Sequence, residues 1–347
     1  MIQSPLLTSF LRPAAALYSA TVSLRADLYK TGFLKKVKVA PRVISVGNLT
    51  VGGTGKTPFT MRVAELLCTQ NQSVAVVCRG YKRTSGSMGS IYLASDGKKV
   101  SADVSLTGDE AQLLAQRMRG VFVVVGSPKW RAAQWVESHL PVGWIVLDDG
   151  FQHLKLKRDR NILLLDAERP FDNGRVIPMG RLREPAKAMQ RADLVVLVGS
   201  SNFSLEASDR ERWRALSPSA ELFSAHRECA GVALFEGKGV RPVGELQGKK
   251  LVSFCGIAQP GQFLRDLRNQ QLDIADSLFF PDHHRYRPSD TRDIILRALR
   301  CGAEALITTA KDTMNLTPRA FGNWPCFIFE IKMQIDDETR FLRALSN

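Results

Sequence analysis

The sequence predicts an α/β protein in which a mostly parallel β-sheet has helices on both faces and a smaller second α/β domain follows. Short apolar runs rich in β-branched residues alternate with segments of helical periodicity through the first two-thirds of the 347 residues. Such alternation is typical of βαβ units, whose strands are parallel and covered on both sides. The strands predicted for this part are 42–46, 73–78, 121–125, 144–148, 161–166 and 194–198.

Composition divides the chain into four predicted segments. They are a helical segment at 1–36, the larger α/β domain at 37–200, a more polar connector at 201–245 and the second α/β domain at 246–347. The second domain is predicted from strands at 250–255, 305–308 and 326–331 and from a helix at 290–300. The glycine- and serine-rich stretch 84–90 predicts a loop.

The charge balance favours an anionic partner. Lys and Arg number 48 against 34 Asp and Glu, an excess of 14, which suits a nucleic acid, a membrane surface or a phosphorylated substrate. A hydrophobic content of 44% is enough for a sizeable core and argues against a disordered protein. The six cysteines include no C-x-x-C pair, which indicates reduced thiols in a cytosolic compartment rather than disulfides or a zinc site.

The N-terminal segment has the pattern of an amphipathic helix. Ala14, Leu17, Thr21, Leu24 and Leu28 recur at spacings of three and four, and a basic stretch at 35–38 follows. These features predict an anchor at a membrane surface, although the apolar face would also suit packing on the domain's own core. No stretch reaches the roughly 18 uncharged apolar residues that a spanning helix needs, and the start lacks the pattern of a signal peptide.

The strongest local signal is a glycine-rich turn between a predicted strand and a predicted helix, within residues 42–58. That order directs backbone N–H groups and a helix N-terminus at a phosphate chain. Glycines permit positive φ and close approach of the backbone to the phosphates. The three glycines of the turn are Gly52, Gly53 and Gly55.

Two residues that follow these glycines carry the chemistry of a phosphate loop. Lys56 would neutralise charge on the β- and γ-phosphates, and the Thr57 hydroxyl would be a ligand of Mg²⁺. Thr50 stands where the general P-loop pattern has its first glycine. The strand–loop–helix context nevertheless predicts a P-loop NTPase-like fold.

Asp148 ends the predicted apolar strand 144–148 and Asp149 follows it, in the form of a Walker B segment. Ligands of parallel α/β sheets bind at the carboxyl ends of the strands. One carboxylate would therefore hold Mg²⁺ or its water shell while the other orients Lys56 or another group of the site. The structural alternative is a pair of solvated turn residues before Gly150.

Asp109 opens another predicted helix, and two interpretations of it compete. Thr107 and Glu110 have the spacing of a capping box, which is a purely structural device. A kinase needs a carboxylate that accepts the proton of the substrate hydroxyl, and Asp109 follows the phosphate loop in the same α/β unit. Asp109 is therefore a candidate catalytic base. His283 and His284 lie in a predicted loop, where adjacent histidines are commonly surface residues.

Seven segments together resemble the tetraacyldisaccharide 4′-kinase family, the lipid A 4′-kinases. They occur in family order and cover nearly the whole chain from residue 42 to residue 312. The phosphate loop is generic, whereas 147–153 and 180–185 together are highly specific. The family's loop also lacks the first Walker glycine, so the resemblance explains Thr50. The matching segments are 46–58, 78–81, 108–110, 147–153, 180–185, 280–284 and 308–312.

The resemblance implies a kinase that uses ATP and Mg²⁺ to phosphorylate the 4′-hydroxyl of a tetraacylated glucosamine disaccharide 1-phosphate, in lipid A and lipopolysaccharide biosynthesis. It implies two α/β domains around a cleft and an N-terminal helix associated with the membrane. The expected partners are the lipid substrate and an anionic membrane surface, not nucleic acid. The expected location is the cytoplasmic face of the bacterial inner membrane.

The resemblance also implies roles for individual residues. Asp109 resembles the catalytic base and His283 the histidine that supports it, with His284 as the nearby alternative. Arg183 is expected to contact the γ-phosphate. The residues expected to bind ATP are Thr50, Val51, Gly52, Gly53, Thr54, Gly55, Lys56, Thr57, Asp149 and Arg183. Those expected around Mg²⁺ are Thr57, Glu110, Asp148 and Glu184.

Two other classes of protein fit parts of the sequence. A P-loop switch or metallochaperone is the first, but residues 309–312 place lysine and aspartate next to each other, unlike the N/T-K-x-D code of guanine-specific GTPases. A non-enzymatic protein that binds nucleic acid or a membrane is the second, because of the excess of 14 basic residues. The basic residues are spread along the chain, however, and no aromatic-interleaved RNA motif or zinc finger occurs.

Overall fold

The structure, a computed structural model, describes residues 5–80, 89–100, 104–199, 203 and 207–346. Most of the predicted loop at 84–90 lies outside these residues, as do Tyr81 and most of the first six residues of the predicted connector. The chain forms two compact units, of which the first is residues 1–227 with 333–347 and the second is residues 228–332.

Strands and helices alternate through most of the described chain. The strands in chain order are β1 (Arg42–Asn48), β2 (Val74–Cys78), β3 (Tyr92–Asp96), β4 (Phe122–Val125), β5 (Trp144–Leu147), β6 (Arg160–Asp166), β7 (Leu194–Gly199), β8 (Glu221–Leu234), β9 (Lys250–Cys255), β10 (Asp273–Phe279), β11 (Ala305–Thr309) and β12 (Cys326–Ile335). The α-helices in chain order are α1 (Pro5–Lys30), α2 (Lys56–Thr69), α3 (Val104–Thr107), α4 (Asp109–Arg117), α5 (Lys129–His139), α6 (Ala207–Leu216), α7 (Pro260–Asn269), α8 (Pro288–Cys301), α9 (Ala310–Thr313) and α10 (Glu338–Ser346). Short 3₁₀ helices occupy Ala186–Arg191 and Val243–Leu246.

The sheet of the first unit has the strand order β8–β7–β6–β1–β5–β2–β4–β3. All of these neighbours pair in parallel except β3 and β4, which are antiparallel, so the predicted mostly parallel sheet is confirmed. Because β1, β5 and β4 run in the same direction, the segments that follow them meet at one edge of the sheet. This edge receives the phosphate loop, the acidic pair and the start of α5.

Helices cover both faces of this sheet, as predicted. Alternate residues of a strand point to opposite faces. Ile44 and Val46 of β1 pack in one cluster with Phe59 of α2, whereas Val43 packs in another with Val136 of α5. The central strands are nearly all apolar because neither face of the sheet meets water.

Helix α1 presents the predicted apolar face to solvent. Leu17 and Leu24 are 70% and 61% exposed, so the alternative that these leucines pack on the domain's own core is wrong. Tyr18 instead contacts the unit, because its hydroxyl donates a hydrogen bond of 2.8 Å to the main-chain oxygen of Arg183. Among the described residues, no helix combines the length and apolar character needed to cross a membrane.

The second unit is a smaller α/β layer. Its parallel strands follow the order β10–β9–β11–β12. Helix α8 buries Ile294 against Val252 and Phe254, while α7 buries Leu267 in a cluster with Leu251. Because Leu251 and Val252 are consecutive in β9, these two clusters lie on opposite faces of the layer.

The unit boundaries differ from the predicted segments. The predicted connector 201–245 contains α6 and β8, and the second unit begins within β8 rather than at residue 246. Residues 333–347 belong to the first unit, not the second. There Phe341 of α10 makes edge-to-face contacts with Phe59 and Phe223, at centroid distances of 5.8 and 5.2 Å.

Candidate active site

The phosphate loop connects β1 to α2 and holds its lysine by side-chain and main-chain oxygens. Gly55 is the N-cap of α2 with φ 77°, in the left-handed region that favours glycine. The ammonium of Lys56 donates hydrogen bonds of 3.2 Å to the Asn48 Oδ1 and to the Gly52 carbonyl oxygen. The Asn48 amide in turn donates to the Thr54 hydroxyl at 2.7 Å. Asn48 therefore links the end of the strand to the C-terminal end of the loop.

The acidic pair lies directly after β5. Thr60 of α2 donates a hydrogen bond of 2.9 Å to Asp148 Oδ1. Asp149 has φ 50°, an uncommon conformation for a residue with a side chain. A Cβ atom at Gly150 would lie 2.6 Å from the Ser45 hydroxyl, so the turn fits closely against β1.

The Asp149 carboxylate lies between two cations. Its Oδ1 is 3.8 Å from the Lys56 ammonium, and both of its oxygens are 2.9 Å from one guanidinium nitrogen of Arg183. The predicted pairing of an acidic residue with Lys56 is present in this geometry. Asp149 provides it, and the alternative of a pair of solvated turn residues is wrong because Asp148 is buried and Asp149 is paired.

Lys129 occupies the first position of α5 and is buried beneath the acidic pair. It is 1% exposed, and its ammonium donates hydrogen bonds to the main-chain oxygens of Asp148 and Asp149, the latter at 2.9 Å. A buried ammonium is costly unless polar groups surround it. These carbonyl groups supply that environment at the edge where the ligand-binding segments meet.

Burial and mutual charge set the pKa values of these groups. Burial lowers the pKa of Lys56 and of Lys129, and the Asp149 carboxylate opposes both shifts. Burial raises the pKa of Asp148, against the effect of Lys129. For Asp149, burial acts to raise the pKa, but Lys56, Lys129 and Arg183 outweigh it and lower the pKa to about 2. Asp149 is therefore ionised at neutral pH.

The segment 180–185 pairs with the start of the phosphate loop. Val51 N–H donates to the Arg181 carbonyl oxygen and Arg183 N–H donates to the Leu49 carbonyl oxygen, both at 2.7 Å. The Arg181 guanidinium lies over Gly52, where a Cβ atom would collide with it. These main-chain bonds fix the position from which Arg183 reaches Asp149.

Asp109 begins α4 and is 5% exposed. Its Oδ1 accepts a hydrogen bond of 2.9 Å from the N–H of Glu110. The predicted capping box is wrong, because the N-cap is Gly108 without a side-chain cap bond and Thr107 belongs to α3. The Thr107 hydroxyl instead donates to the Gln112 side-chain oxygen at 3.1 Å. The short break at Gly108, with φ 82°, separates the two helices.

His283 and His284 belong to the second unit and have different surroundings there. The His283 side chain is 8% exposed, and its Nε2 is 3.1 Å from the Lys311 ammonium. His284 Nε2 is 2.9 Å from Asp290 Oδ2, and its ring stacks on Phe280 at 4.7 Å. Asp290 is also the residue that caps the start of α8, so His284 supports a helix end.

Comparisons with known proteins decide the family. The family model for tetraacyldisaccharide-1-P 4′-kinase, LpxK, matches residues 7–347. This chain belongs to that family. Relatives described as tetraacyldisaccharide 4′-kinase include one from Geobacter metallireducens, 40% identical over 302 residues that cover 87% of this chain and 86% of the relative. Another, from Halothermothrix orenii, is 37% identical over 313 residues, with coverage of 87% and 81%.

A solved structure agrees with this assignment. The crystal structure of LpxK from Aquifex aeolicus in complex with ATP has a TM-score of 0.78 and 30% identity, and covers 98% of each chain. The family resemblance and the α/β fold class predicted from sequence are thereby confirmed, and the chain is a kinase of this family. The individual residue roles that the 4′-kinase resemblance implies stay predictions.

The structure brings some of the residues predicted for the 4′-kinase site into one cluster and gives others different partners. Lys56, Asp149 and Arg183 form one cluster. Glu184, predicted near Mg²⁺, is buried in an ion pair of 2.8 Å with Arg191. Asp109 belongs to the first unit and His283 to the second. Within the described residues, no group of three or more His, Cys, Asp or Glu side chains is arranged to hold a metal ion.

Sequence reasoning missed three residues of this kinase site, Asn48, Thr60 and Lys129. Asn48 carried a usable signal, since it is the last residue of the strand before the glycine turn. Lys129 carried a weaker one, because it follows β4 at the same sheet edge as the acidic pair. A lysine at the start of a helix is otherwise a common surface residue.

Proposed function

We propose that this chain transfers the γ-phosphate of ATP to the 4′-hydroxyl of a tetraacyldisaccharide 1-phosphate. The observation that carries the proposal is the cluster of Lys56, Asp149 and Arg183 beside a glycine-rich loop at a helix N-terminus. Membership of the 4′-kinase family supports the lipid acceptor, and the ATP complex of the Aquifex aeolicus relative supports the nucleotide.

ATP fits the loop from Thr50 to Thr57. Gly52 has φ 124° and Gly55 has φ 77°, and a Cβ atom at Gly53 would have nothing within 4 Å. Such a backbone turns N–H groups toward an anion and leaves space for phosphate oxygens. Lys56 would neutralise charge on the β- and γ-phosphates, and Arg183 would add a second cation at the γ-phosphate.

The oxygen donors beside the loop fit a hard divalent cation. Thr57 and Thr60 are three residues apart in α2 and so share a face, and Thr60 is bonded to the Asp148 carboxylate. Mg²⁺ in kinases commonly takes one or two protein oxygens together with phosphate oxygens. Thr57 and Asp148 would hold the ion, with Glu110 and Glu184 as further predicted ligands. Its chemistry would be neutralisation of charge on the β- and γ-phosphates.

The chain's own residues would perform the transfer by positioning and by moving one proton. Asp109 would accept the proton of the sugar hydroxyl as the oxygen attacks the γ-phosphorus, while the bond from the γ-phosphorus to the bridging oxygen breaks and ADP leaves. His283 is the second proposed catalytic residue, in support of Asp109. Lys56 and Arg183 would stabilise the charge on the transferring phosphoryl group.

Helix α1 would hold the enzyme at the membrane that contains its lipid substrate. The exposed leucines at 17 and 24 and the lysines at 35, 36 and 38 suit a surface that is apolar inside and anionic outside. We place the enzyme at the cytoplasmic face of the bacterial inner membrane, as a peripheral protein that does not bind nucleic acid.

The test is transfer of labelled γ-phosphate from ATP to tetraacyl disaccharide 1-phosphate in detergent micelles. The expected product is the 4′-phosphorylated disaccharide, formed only when ATP, Mg²⁺ and the acceptor are all present. ATP hydrolysis at the same rate without the acceptor would favour a P-loop switch or metallochaperone. Absence of any product with a folded, ATP-binding protein would contradict the proposed acceptor.

A further inference from the structure

Lys129 is a buried basic side chain that the proposed reaction does not use. It belongs to the largest fully buried side chains of the described chain and begins α5, next to the edge of the sheet where the phosphate loop lies. Its ammonium donates to two consecutive carbonyl oxygens, those of Asp148 and Asp149. Two bonds to adjacent peptide groups restrain the direction of the chain between them.

That restraint acts on an unusual turn. Asp149 has φ 50°, a conformation that is uncommon for residues with a side chain and that hydrogen bonds from its surroundings can stabilise. The peptides on either side are fixed by main-chain bonds from Asp148 N–H to Val77 O at 3.0 Å and from Gly150 N–H to Val46 O at 2.8 Å. Lys129 holds the carbonyl groups of the same turn.

The conformation of this turn orients the Asp149 carboxylate. From this backbone the carboxylate reaches Arg183 at 2.9 Å and Lys56 at 3.8 Å. We propose that Lys129 is a positioning residue that stabilises the left-handed turn at Asp149. Through the Asp149 carboxylate it would fix the positions of Lys56 and Arg183, the two cations that would face the phosphates. This inference rests on the proposed function, since it assigns Lys56 and Arg183 to ATP.

The experiment compares Lys129→Met with Lys129→Arg in the full-length protein. Methionine fills a similar volume but donates no hydrogen bond, whereas arginine keeps the charge and the donors. The matched control is Lys155→Met. The Lys155 ammonium lies 4.1 Å from the ring centre of Trp130, the residue after Lys129, and has no ion pair with Asp148 or Asp149 among the described contacts. The measurements are the Kd for MgATP, kcat and KM for ATP in the lipid assay, and the thermal midpoint.

Lys129→Met is expected to lower kcat/KM for ATP by about 10- to 100-fold, the range for loss of hydrogen bonds from a charged donor. The Kd for MgATP should rise, Lys129→Arg should recover part of the loss, and Lys155→Met should match the wild type. In an Asp149→Asn background the Lys129→Met effect should shrink, because the carboxylate that it orients is already altered. Independent structural damage would add to the Asp149→Asn effect instead.

A folded Lys129→Met protein with wild-type Kd and kcat/KM would overturn the proposal, as would full additivity in the double mutant. If the methionine variant does not fold, the same cycle is run with Lys129→Gln, which is neutral but keeps a donor, and additivity there has the same meaning. The Kd for MgATP separates the two proposals. A wild type that binds MgATP but does not phosphorylate the disaccharide contradicts the proposed function and leaves the effect of Lys129 on nucleotide binding measurable.

Discussion

One guanidinium nitrogen of Arg183 lies 2.9 Å from both carboxylate oxygens of Asp149. Asp149 Oδ1 also lies 3.8 Å from the Lys56 ammonium. A single carboxylate therefore lies between two cations that come from different segments of the chain. Neither cation is then free to approach the other, and both remain beside the phosphate loop.

Removal of the loop lysine should abolish most activity. Lys56→Ala removes the ammonium group at the first residue of α2. Loss of such charge stabilisation raises the activation free energy by about 3–4 kcal/mol, which lowers kcat a few hundredfold. Steady-state turnover with ATP and the lipid acceptor measures it. Lys98→Ala, at an exposed lysine of the same unit, is the control and should match the wild type. Near-normal turnover of Lys56→Ala would contradict the phosphate-loop assignment.

Asp149→Asn should change how stability depends on pH. Because the folded pKa of Asp149 is about 2, below its ordinary value of 3.8, its ionised form stabilises the protein above pH 3.8, and this contribution falls as the pH drops toward 2. The carboxylate is 37% exposed, so solvent screening limits the effect to about 1 kcal/mol.

The measurement is the free energy of unfolding of both proteins from pH 3 to pH 6. The wild type should be the more stable at pH 6, and its advantage over Asp149→Asn should narrow toward pH 3. A difference that stays constant over this range would show that the charge of Asp149 does not contribute.

Asp109→Asn should separate catalysis from stability. An asparagine oxygen can still accept the N–H of Glu110, and Gly108 rather than Asp109 caps the helix, so the thermal midpoint should change little. Loss of a general base should lower kcat by about 10²- to 10⁴-fold with little change in ATP affinity.

Thr107→Val is the matched control for Asp109→Asn. It removes the hydrogen bond to Gln112, so it should lower stability by about 1 kcal/mol and leave kcat nearly unchanged. A stable Asp109→Asn protein with wild-type kcat would eliminate Asp109 as the base and leave Asp148 or Asp149 as candidates.

The two adjacent histidines should give opposite signatures. His283→Ala should lower kcat, because His283 is the second of the two proposed catalytic residues, and should preserve most of the stability. His284→Ala removes the contact with Asp290 at the start of α8 and the stack on Phe280, so it should lower the thermal midpoint rather than kcat. The reverse pattern in turnover and melting experiments would exchange the two assignments.

Charge on the exposed face of α1 should weaken membrane binding. The double substitution Leu17→Glu and Leu24→Glu puts two carboxylates on that face, whereas Ser23→Glu adds one on another face as the control. Sedimentation with anionic vesicles should fall for the double variant alone, with ATP binding retained. Deletion of residues 1–36 is a less specific test, because Tyr18 bonds to the main chain of Arg183. Unchanged sedimentation of the double variant would make α1 a structural helix.

The fold was predictable wherever burial on both faces left continuous apolar runs. β1, β5 and β7 are of this kind, and their predicted positions agree with the structure to within two residues. β8 was missed because polar residues such as Glu221, Arg227 and Glu228 interrupt its apolar pattern. β10 was missed because it is an edge strand, where charged residues such as Asp273 and Asp276 are tolerated and break the apolar run.

The residues of the candidate site likewise include some that the sequence indicates and others that it does not. The glycines and Lys56 were predicted from a spacing that is typical of a phosphate loop. The acidic pair was predicted from its place at the end of an apolar strand. Lys129 gives only a weak signal in the sequence, because its burial depends on β4 and β5 being separated by a single strand, which is a property of the strand order. Glu184 illustrates the converse, because its partner Arg191 is visible only once the 3₁₀ helix Ala186–Arg191 is in place.

The return of residues 333–347 to the first unit has a consequence for synthesis of the protein. Phe341, Ala344 and Leu345 complete the core on the face of the sheet that carries α2, yet the ribosome makes them after the whole of the second unit. The core of the phosphate-binding unit beside Phe59 is therefore incomplete until residues 333–347 have been synthesised. A chain cut short by a stop codon before residue 338 would carry every candidate catalytic residue and still lack the helix that seals its core.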